Sequence, residues 1–120
     1  MLDIFHLFAR LPTFFALLRR KSREGKWKKR WYVIREEGGW WILLYFKDQD
    51  STSVLNAIKI HRTSSIESLE EDGENSGLCF MIKMESGQMY LHRAPDPQSR
   101  EKWLRALNLA RTAGLQLVSL

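Results

Sequence analysis

The sequence concentrates its positive charge in one short stretch. Residues 19–30 (RRKSREGKWKKR), here called the basic segment, hold eight basic residues and one acid, a net charge of +7 in a chain whose total is +5. So many like charges repel one another unless they are solvated or an anion offsets them. Arginine forms paired hydrogen bonds with phosphate, and lysine supplies point charge. The basic segment therefore predicts an anionic partner, such as a lipid head group, a nucleic acid or an acidic peptide.

Other residue types give little indication of catalysis or metal binding. His6, His61 and His92 are scattered, and the single cysteine, Cys79, cannot form an internal disulfide or a zinc site. The sequence has no nucleophile–base arrangement, no pair of catalytic carboxylates and no glycine-rich phosphate loop. We therefore expect a non-enzymatic module that needs no cofactor or metal and works in the reducing cytoplasm.

Hydrophobic periodicity predicts seven short strands followed by one helix in a single domain. The strands are expected at residues 13–20, 27–35, 40–47, 54–61, 64–69, 78–84 and 88–93. Successive hairpins give an antiparallel meander, and seven strands in so short a chain must curl into a barrel or sandwich. Asp96 and Pro97 are typical of a helix start, Gly114 of its end, and Trp103 of an anchor over one open end of the sheet.

The first residues of the chain follow a different pattern. Leu2, Phe5 and Phe8 recur at helical spacing and Pro12 ends the run, which predicts an amphipathic helix over residues 2–11 within an N-terminal extension, residues 1–12. Polar residues interrupt the apolar ones, so a secretory signal is not indicated. We expect this extension to pack on the domain or to bind a protein partner rather than to insert into a bilayer.

Side-chain alternation decides which basic residues share a face of the sheet. On the second strand, Lys28 and Arg30 lie on one face above Tyr32, and a short turn is expected to bring Arg19 beside them. The pattern predicts a cationic pocket at an open end of the barrel, suited to a compact, multiply phosphorylated ligand. Near an anionic leaflet each base contributes about 1 kcal/mol before screening, which favours reversible membrane attraction.

At this point the sequence resembles a pleckstrin homology (PH) domain across residues 13–114, with 115–120 as a tail. The residues that carry the resemblance are ALLRRKSREGKWKKRWYVI on the first hairpin, LLYFKD on the third strand, and REKWLRAL with Trp103 on the helix. The resemblance implies a mainly β fold, a curled seven-stranded antiparallel sheet capped by one C-terminal α-helix. It also implies a module without catalytic activity.

Members that bind 3-phosphoinositides resemble one another in a basic signature on the first two strands, followed by two hydrophobic residues. By this resemblance Arg19, Lys28 and Arg30 take the three basic positions. Two departures are the bulky Phe15 in place of a small glycine, and Leu55 where some members carry an arginine. The phosphate-contacting residues that the resemblance implies are Arg19, Arg23, Lys26, Lys28, Arg30 and Tyr45.

The resemblance implies a module that binds phosphoinositide head groups or inositol phosphates, with 3-phosphorylated lipids favoured, and recruits its host protein to the anionic surface of cytosolic membranes. Such a protein is cytoplasmic and peripherally membrane-bound. One alternative is a PH-like protein-interaction domain without selective lipid binding, which Leu55 and the apolar extension favour. Nucleic acid is the less favoured partner, because the bases cluster at one hairpin instead of following a groove.

Overall fold

A computed structural model describes residues 14–70 and 72–119, which form one antiparallel sheet and one long helix. The sheet order is β4-β3-β2-β1-β7-β6-β5, so β1 is central, and the sheet is curled but not closed. This confirms the predicted fold class, whereas the predicted helix at 2–11 lies outside the described residues. The strands are β1 (Phe14–Lys21), β2 (Trp27–Glu37), β3 (Trp40–Phe46), β4 (Val54–Lys59), β5 (Thr63–Leu69), β6 (Cys79–Met84) and β7 (Met89–Arg93).

Alternation along the strands separates the two faces of the sheet. On β2, Tyr32 and Ile34 are buried while Trp31 and Val33 are half-buried, and Tyr32 pairs with Tyr45 of β3. We call the face that carries Tyr32 and Ile34 the inner face, because it packs on the core, and the opposite one the outer face. The apolar residues of the inner face drive folding by leaving water.

The helix α1 (Pro97–Ser119) covers the inner face. Asp96 caps its start, because its Oδ1 accepts a hydrogen bond from the Ser99 N–H at 2.7 Å. Trp103 is 1 % exposed and meets the Tyr32 ring edge-on, which confirms its predicted role as the anchor of the helix. The predicted end at Gly114 is wrong, since the helix continues to Ser119; glycine inside a helix costs only about 1 kcal/mol.

The end of β4 also differs from the prediction, which extended this strand to residue 61. The strand ends at Lys59, and Ile60–Arg62 form a 3₁₀ turn before β5. The Thr63 hydroxyl donates a 2.7 Å hydrogen bond to the Ile60 carbonyl, which closes that turn, and the Ile60 side chain is buried. Within the described ranges, no helix is long and apolar enough to span a bilayer.

Candidate anion-binding site

A tight loop joins the two strands that contain most of the basic segment. The Ser22 N–H donates to the Lys26 carbonyl at 2.8 Å, and the Gly25 N–H donates back to the Ser22 carbonyl at 2.9 Å. Gly25 has a φ of 80°, a left-handed conformation that glycine adopts without strain. Arg23 and Lys26 are consequently held on a short, exposed loop at the end of the hairpin.

The register of this hairpin decides which cations share the inner face. Arg20 pairs with Lys28, and the buried Leu18 pairs with Arg30. Directly paired residues point to the same side of an antiparallel sheet. We call Arg20, Lys28 and Arg30 the inner cationic cluster. All three lie on the face that carries the core, at the end of the sheet where β1 meets β2.

Aromatic residues support the cluster from below. The Arg20 guanidinium carbon lies 5.0 Å from the centroid of the Tyr45 ring, within the range of a cation–π contact. Tyr45 in turn packs on Tyr32, with 5.1 Å between ring centroids. The Tyr32 hydroxyl lies 2.9 Å from His92 Nε2, and His92 is fully buried and stacked on Phe80. This arrangement fixes the position of the Arg20 side chain.

Burial keeps the groups beneath Arg20 neutral. Desolvation raises the pKa of the Tyr32 hydroxyl, although the nearby Arg20 charge acts in the opposite direction. Desolvation, followed by the Arg20 charge, lowers the pKa of His92 from 6.5 to about 3. At neutral pH both residues are uncharged, so Tyr32 does not neutralise Arg20 and His92 adds no second positive charge beside it.

Arg30 and Lys28 complete the inner cationic cluster with unused hydrogen-bonding capacity. Arg30 is half-buried, its Nη1 donates to the Lys29 carbonyl at 2.9 Å, and its buried Nε has no hydrogen-bond partner among the described residues. Lys28 is exposed. No ion pair of 4.0 Å or less in the described part of the chain includes a residue of the basic segment. The cations are therefore available to an external anion.

A cleft of about 180 Å³ opens beside Arg20, between the first hairpin and the start of β7. Arg20 belongs both to this cleft and to the inner cationic cluster, so a ligand bound at the cluster has room on the β7 side. No pattern in the sequence indicated that the β6–β7 turn would contribute here. The residues that line the cleft are Arg20, Lys21, Ser22, Arg23, Gln88, Met89, Tyr90 and Leu91.

Arg19 does not lie where the sequence predicted it, beside Lys28 and Arg30. It pairs with Lys29 on one side and with Arg93 of β7 on the other, and it is exposed on the outer face. We call Arg19, Lys29 and Arg93 the outer cationic row. The prediction is wrong by one residue, and a shift of one residue along a strand moves a side chain to the other face.

The signal that places Arg20 on the inner face was present in the sequence. Ala16, Leu18 and Arg20 follow one another at period two, as a small residue, an apolar residue and a base. Leu18 is 1 % exposed, and Ala16 packs against the core. Ala16, one position after Phe15, thus provides the small residue of this strand.

The remaining predicted residues fall into two groups. Arg23 and Lys26 are exposed on the loop next to the inner cationic cluster. Tyr45 is 6 % exposed, and its ring contacts Arg20 and Tyr32 rather than solvent. Leu55, at the start of β4, is 51 % exposed and supplies no charge.

The part of the chain that the structure describes contains no group of three histidine, cysteine, aspartate or glutamate side chains that could hold a metal ion. The candidate site consists instead of cations, aromatic rings and a short loop. Side chains of this kind can form charge-assisted hydrogen bonds with a compact anion.

Comparison with known proteins gives the same fold. The chain is similar to the PH domain of human oxysterol-binding protein-related protein 11, with 21 % identity, a TM-score of 0.75 and coverage of 88 % of this chain and 85 % of that one. It is also similar to the C-terminal PH domain of pleckstrin solved with D-myo-Ins(1,2,3,5,6)P5, with 23 % identity, a TM-score of 0.70 and coverage of 82 % and 93 %.

A second structure of the pleckstrin domain, solved with D-myo-Ins(1,2,3,4,5)P5, is 25 % identical, with a TM-score of 0.67 and coverage of 81 % of this chain and 95 % of that one. No curated protein matches the sequence. The family model described as PH domain matches residues 14–112, which include every described strand and most of α1. The chain belongs to the PH domain family.

Proposed function

We propose that this domain binds the phosphorylated inositol ring of a phosphoinositide or of a free inositol polyphosphate, and that Arg20, Lys28 and Arg30 are its principal contacts. The observation that carries the proposal is the inner cationic cluster, in which three bases share one face and form no ion pair of 4.0 Å or less with the described acidic residues. An anion with several phosphates relieves their mutual repulsion and accepts their hydrogen bonds.

The geometry of the site favours a compact ligand over an extended one. Arg20 and Lys28 lie directly opposite each other, and Arg30 is two positions further along β2. Paired residues of this kind are about 5 Å apart and diagonal ones about 7–8 Å apart, a separation that phosphates on one small ring can bridge. Arg23 and Lys26 on the loop, together with the cleft toward β7, close around such a ligand from two sides.

Membrane recruitment of the host protein follows from this proposal, with 3-phosphorylated inositol lipids as the favoured ligands. The outer cationic row lies on the same hairpin and adds attraction to an anionic leaflet. It makes no contribution to the inner site, so we assign Arg19 to general attraction rather than to recognition. The pleckstrin domains solved with inositol pentakisphosphates support the ligand class.

Titration calorimetry with inositol phosphates that differ in phosphate position tests the proposal directly. Lys28→Ala with Arg30→Ala is expected to abolish measurable binding, whereas Lys29→Ala, on the same strand but the opposite face, is the matched control and retains it. Vesicles that contain phosphatidylinositol trisphosphate are expected to bind the domain more strongly than neutral vesicles at physiological salt. Equal binding to both vesicle types would refute the proposal.

A protein-interaction role without selective lipid binding is the second candidate. It is favoured by Val54 and Leu55, two exposed apolar residues at the start of β4, 45 % and 51 % exposed. If recruitment of the host protein to membranes survives Lys28→Ala with Arg30→Ala, the protein-interaction role is the correct one.

A further inference from the structure

The outer face of the sheet changes in character toward the end of the first hairpin. The outer cationic row crosses β2, β1 and β7 as three bases in direct register, Lys29, Arg19 and Arg93. Because side chains alternate, the next outer pair on β1 and β2 is Lys21 with Trp27. A row of bases alone is therefore followed by a row in which a base and a large aromatic residue lie side by side.

The Trp27 ring lies between two bases of this face. The Lys21 Nζ is 5.8 Å from the centroid of the ring, and the Arg93 guanidinium carbon is 5.1 Å from it. Both distances are within the range of a cation–π contact. Since β1 separates the strands of Trp27 and Arg93, the two side chains meet across β1. Trp27 is nevertheless half-exposed, so part of the ring remains in contact with water.

Met89, the first residue of β7, adds a second apolar group to the same face. It is four residues from Arg93 on one strand, so the two side chains point to the same side. Met89 is 59 % exposed, more than any other large apolar residue in the described part of the chain. It pairs with the exposed Lys83 of β6 and lines the cleft together with Lys21. We call Lys21, Trp27, Lys83 and Met89, together with the outer cationic row, the outer docking surface.

We infer that the outer docking surface lies on an anionic bilayer, with Trp27 and Met89 inserted among the lipid head groups. The bases are attracted to the negative leaflet, and apolar groups between them enter the boundary between head groups and acyl chains. Tryptophan is enriched at this boundary in membrane proteins, and lysine can lay its stem along apolar surface while its ammonium group reaches a phosphate. The membrane recruitment proposed above is the premise of this docking, but an inositol ligand is not required for it.

The distribution of charge favours a bilayer as the occupant. Among the described residues, no ion pair of 4.0 Å or less includes a member of the outer cationic row. A planar anionic surface can meet all three of its bases at once and relieve their repulsion. Glu67 of the edge strand β5 faces outward opposite Met81. An anionic leaflet repels this carboxylate, so the β5 edge tilts away from the membrane while the first hairpin and Met89 approach it.

Co-sedimentation of the full chain with vesicles of phosphatidylcholine and phosphatidylserine, which contain no inositol lipid, tests the docking at low salt. The wild-type chain is expected to bind these vesicles and not vesicles of phosphatidylcholine alone. Met89→Ser is expected to weaken the binding about tenfold, because the methionine side chain no longer leaves water, and Met89→Trp is expected to strengthen it. Leu55→Ser is the matched control, since Leu55 has a similar exposed fraction, 51 %, but lies on the edge strand β4.

An environment-sensitive fluorophore on the variant Met89→Cys measures the insertion itself. The native Cys79 is fully buried, so the label reacts with the introduced thiol. The emission of the label at position 89 is expected to shift to the blue when phosphatidylserine vesicles are added. The same label on Leu55→Cys, or on Thr112→Cys at an exposed position of α1, is expected to show no shift.

The outcomes separate this docking from the proposed ligand site. Calorimetry of the wild-type chain with a soluble inositol polyphosphate tests the ligand site alone, and phosphatidylserine vesicles test the docking alone. The docking is overturned if the wild-type chain does not bind phosphatidylserine vesicles, if Met89→Ser binds them as the wild type does, or if Leu55→Ser loses as much affinity. A sedimenting mass that rises with protein concentration and falls again in Met89→Ser would assign the surface to a second copy and overturn the docking as well. Thermal unfolding shows that each variant is folded.

Discussion

Replacement of Arg20 and Arg19, one at a time, separates the functions of the two faces of β1. Arg20 lies over Tyr45 and opposite Lys28, whereas Arg19 lies opposite Lys29. A hydrogen bond to a charged group contributes about 1.5–3 kcal/mol, and about 1.4 kcal/mol changes a dissociation constant tenfold. Arg20→Ala is therefore expected to weaken the binding of an inositol polyphosphate by about 10- to 150-fold. Arg19→Ala is expected to change it by less than about threefold, because solvent screens a charge on the far side of the sheet.

Anionic vesicles should give a different ranking of the same two variants. A base near an anionic membrane surface contributes about 1 kcal/mol, or about fivefold in partitioning. Arg19→Ala therefore weakens vesicle binding about fivefold while the affinity for the free ligand stays nearly constant. Calorimetry with the inositol polyphosphate and co-sedimentation with vesicles measure the two effects separately.

The variant Arg20→Lys controls for the loss of packing on Tyr45. Lysine keeps the charge but cannot form the paired hydrogen bonds of a guanidinium, so an intermediate loss of affinity is expected. Thermal unfolding of each variant shows that the comparison is between folded proteins. Equal losses for Arg19→Ala and Arg20→Ala in calorimetry would refute the assignment of recognition to the inner face.

Three further predictions, the last with a control variant, test the parts of the fold that hold the site. His92 is neutral in the folded chain because burial lowers its pKa to about 3. The unfolded chain binds this proton below about pH 6.5, so acid destabilises the fold, by about 3 kcal/mol at pH 4.5. His92→Phe is expected to remove this acid-dependent loss in urea unfolding at pH 7 and pH 4.5, and an undiminished loss contradicts the reasoning. Trp103→Ala is expected to lower the free energy of unfolding by about 3–5 kcal/mol, and a loss below about 1 kcal/mol shows that Trp103 is not the anchor. Gly25→Ala is expected to lower the free energy of unfolding by about 1–2 kcal/mol, because alanine is strained in the left-handed conformation, and to weaken ligand binding. Gly38 in the β2–β3 turn also has a positive φ, of 60°. Gly38→Ala is therefore the control, expected to lower the stability equally without changing the affinity. Denaturation measures the stability of both variants, and calorimetry measures their affinity for the ligand. Equal affinity for the two variants shows that the β1–β2 loop does not contribute to ligand binding.

The fold could be predicted because the strands and the helix differ clearly in period. Tyr32 and Ile34 alternate with half-buried residues on β2, and Trp103 and Leu107 recur one helical turn apart on α1. The 3₁₀ turn at residues 60–62 could not be predicted in the same way. It depends on a hydrogen bond from the Thr63 hydroxyl to the Ile60 carbonyl, and the alternating sequence before it is equally compatible with a longer strand.

The candidate site was less predictable than the fold because it depends on register. Alternation within one strand was enough to predict that Lys28 and Arg30 share a face of the sheet. The choice between Arg19 and Arg20 depends on how β1 pairs with β2, which the hydrogen bond between Ser22 and Lys26 sets at the turn. Adjacent arginines give no compositional signal for this choice, and only the period-two pattern of Ala16 and Leu18, whose side chains pack at the core, resolves it.

The same register explains how so dense a cluster of charge is accommodated. Lys29, Arg19 and Arg93 lie side by side on three neighbouring strands, where directly opposed like charges are destabilising. Arg93 is stabilised by a 2.8 Å hydrogen bond to Asn75 Oδ1 and by the Trp27 ring, 5.1 Å away, neither of which removes its charge. The repulsion on the outer face thus remains, and a planar anionic surface relieves it better than a small ligand does. On the inner face, Arg20 packs on the uncharged Tyr45 ring and pairs directly with Lys28. A compact anion can contact both of these bases at once. Alternation within one hairpin therefore provides two cationic faces with different geometry, and the proposed function assigns ligand recognition to the inner face and membrane attraction to the outer one.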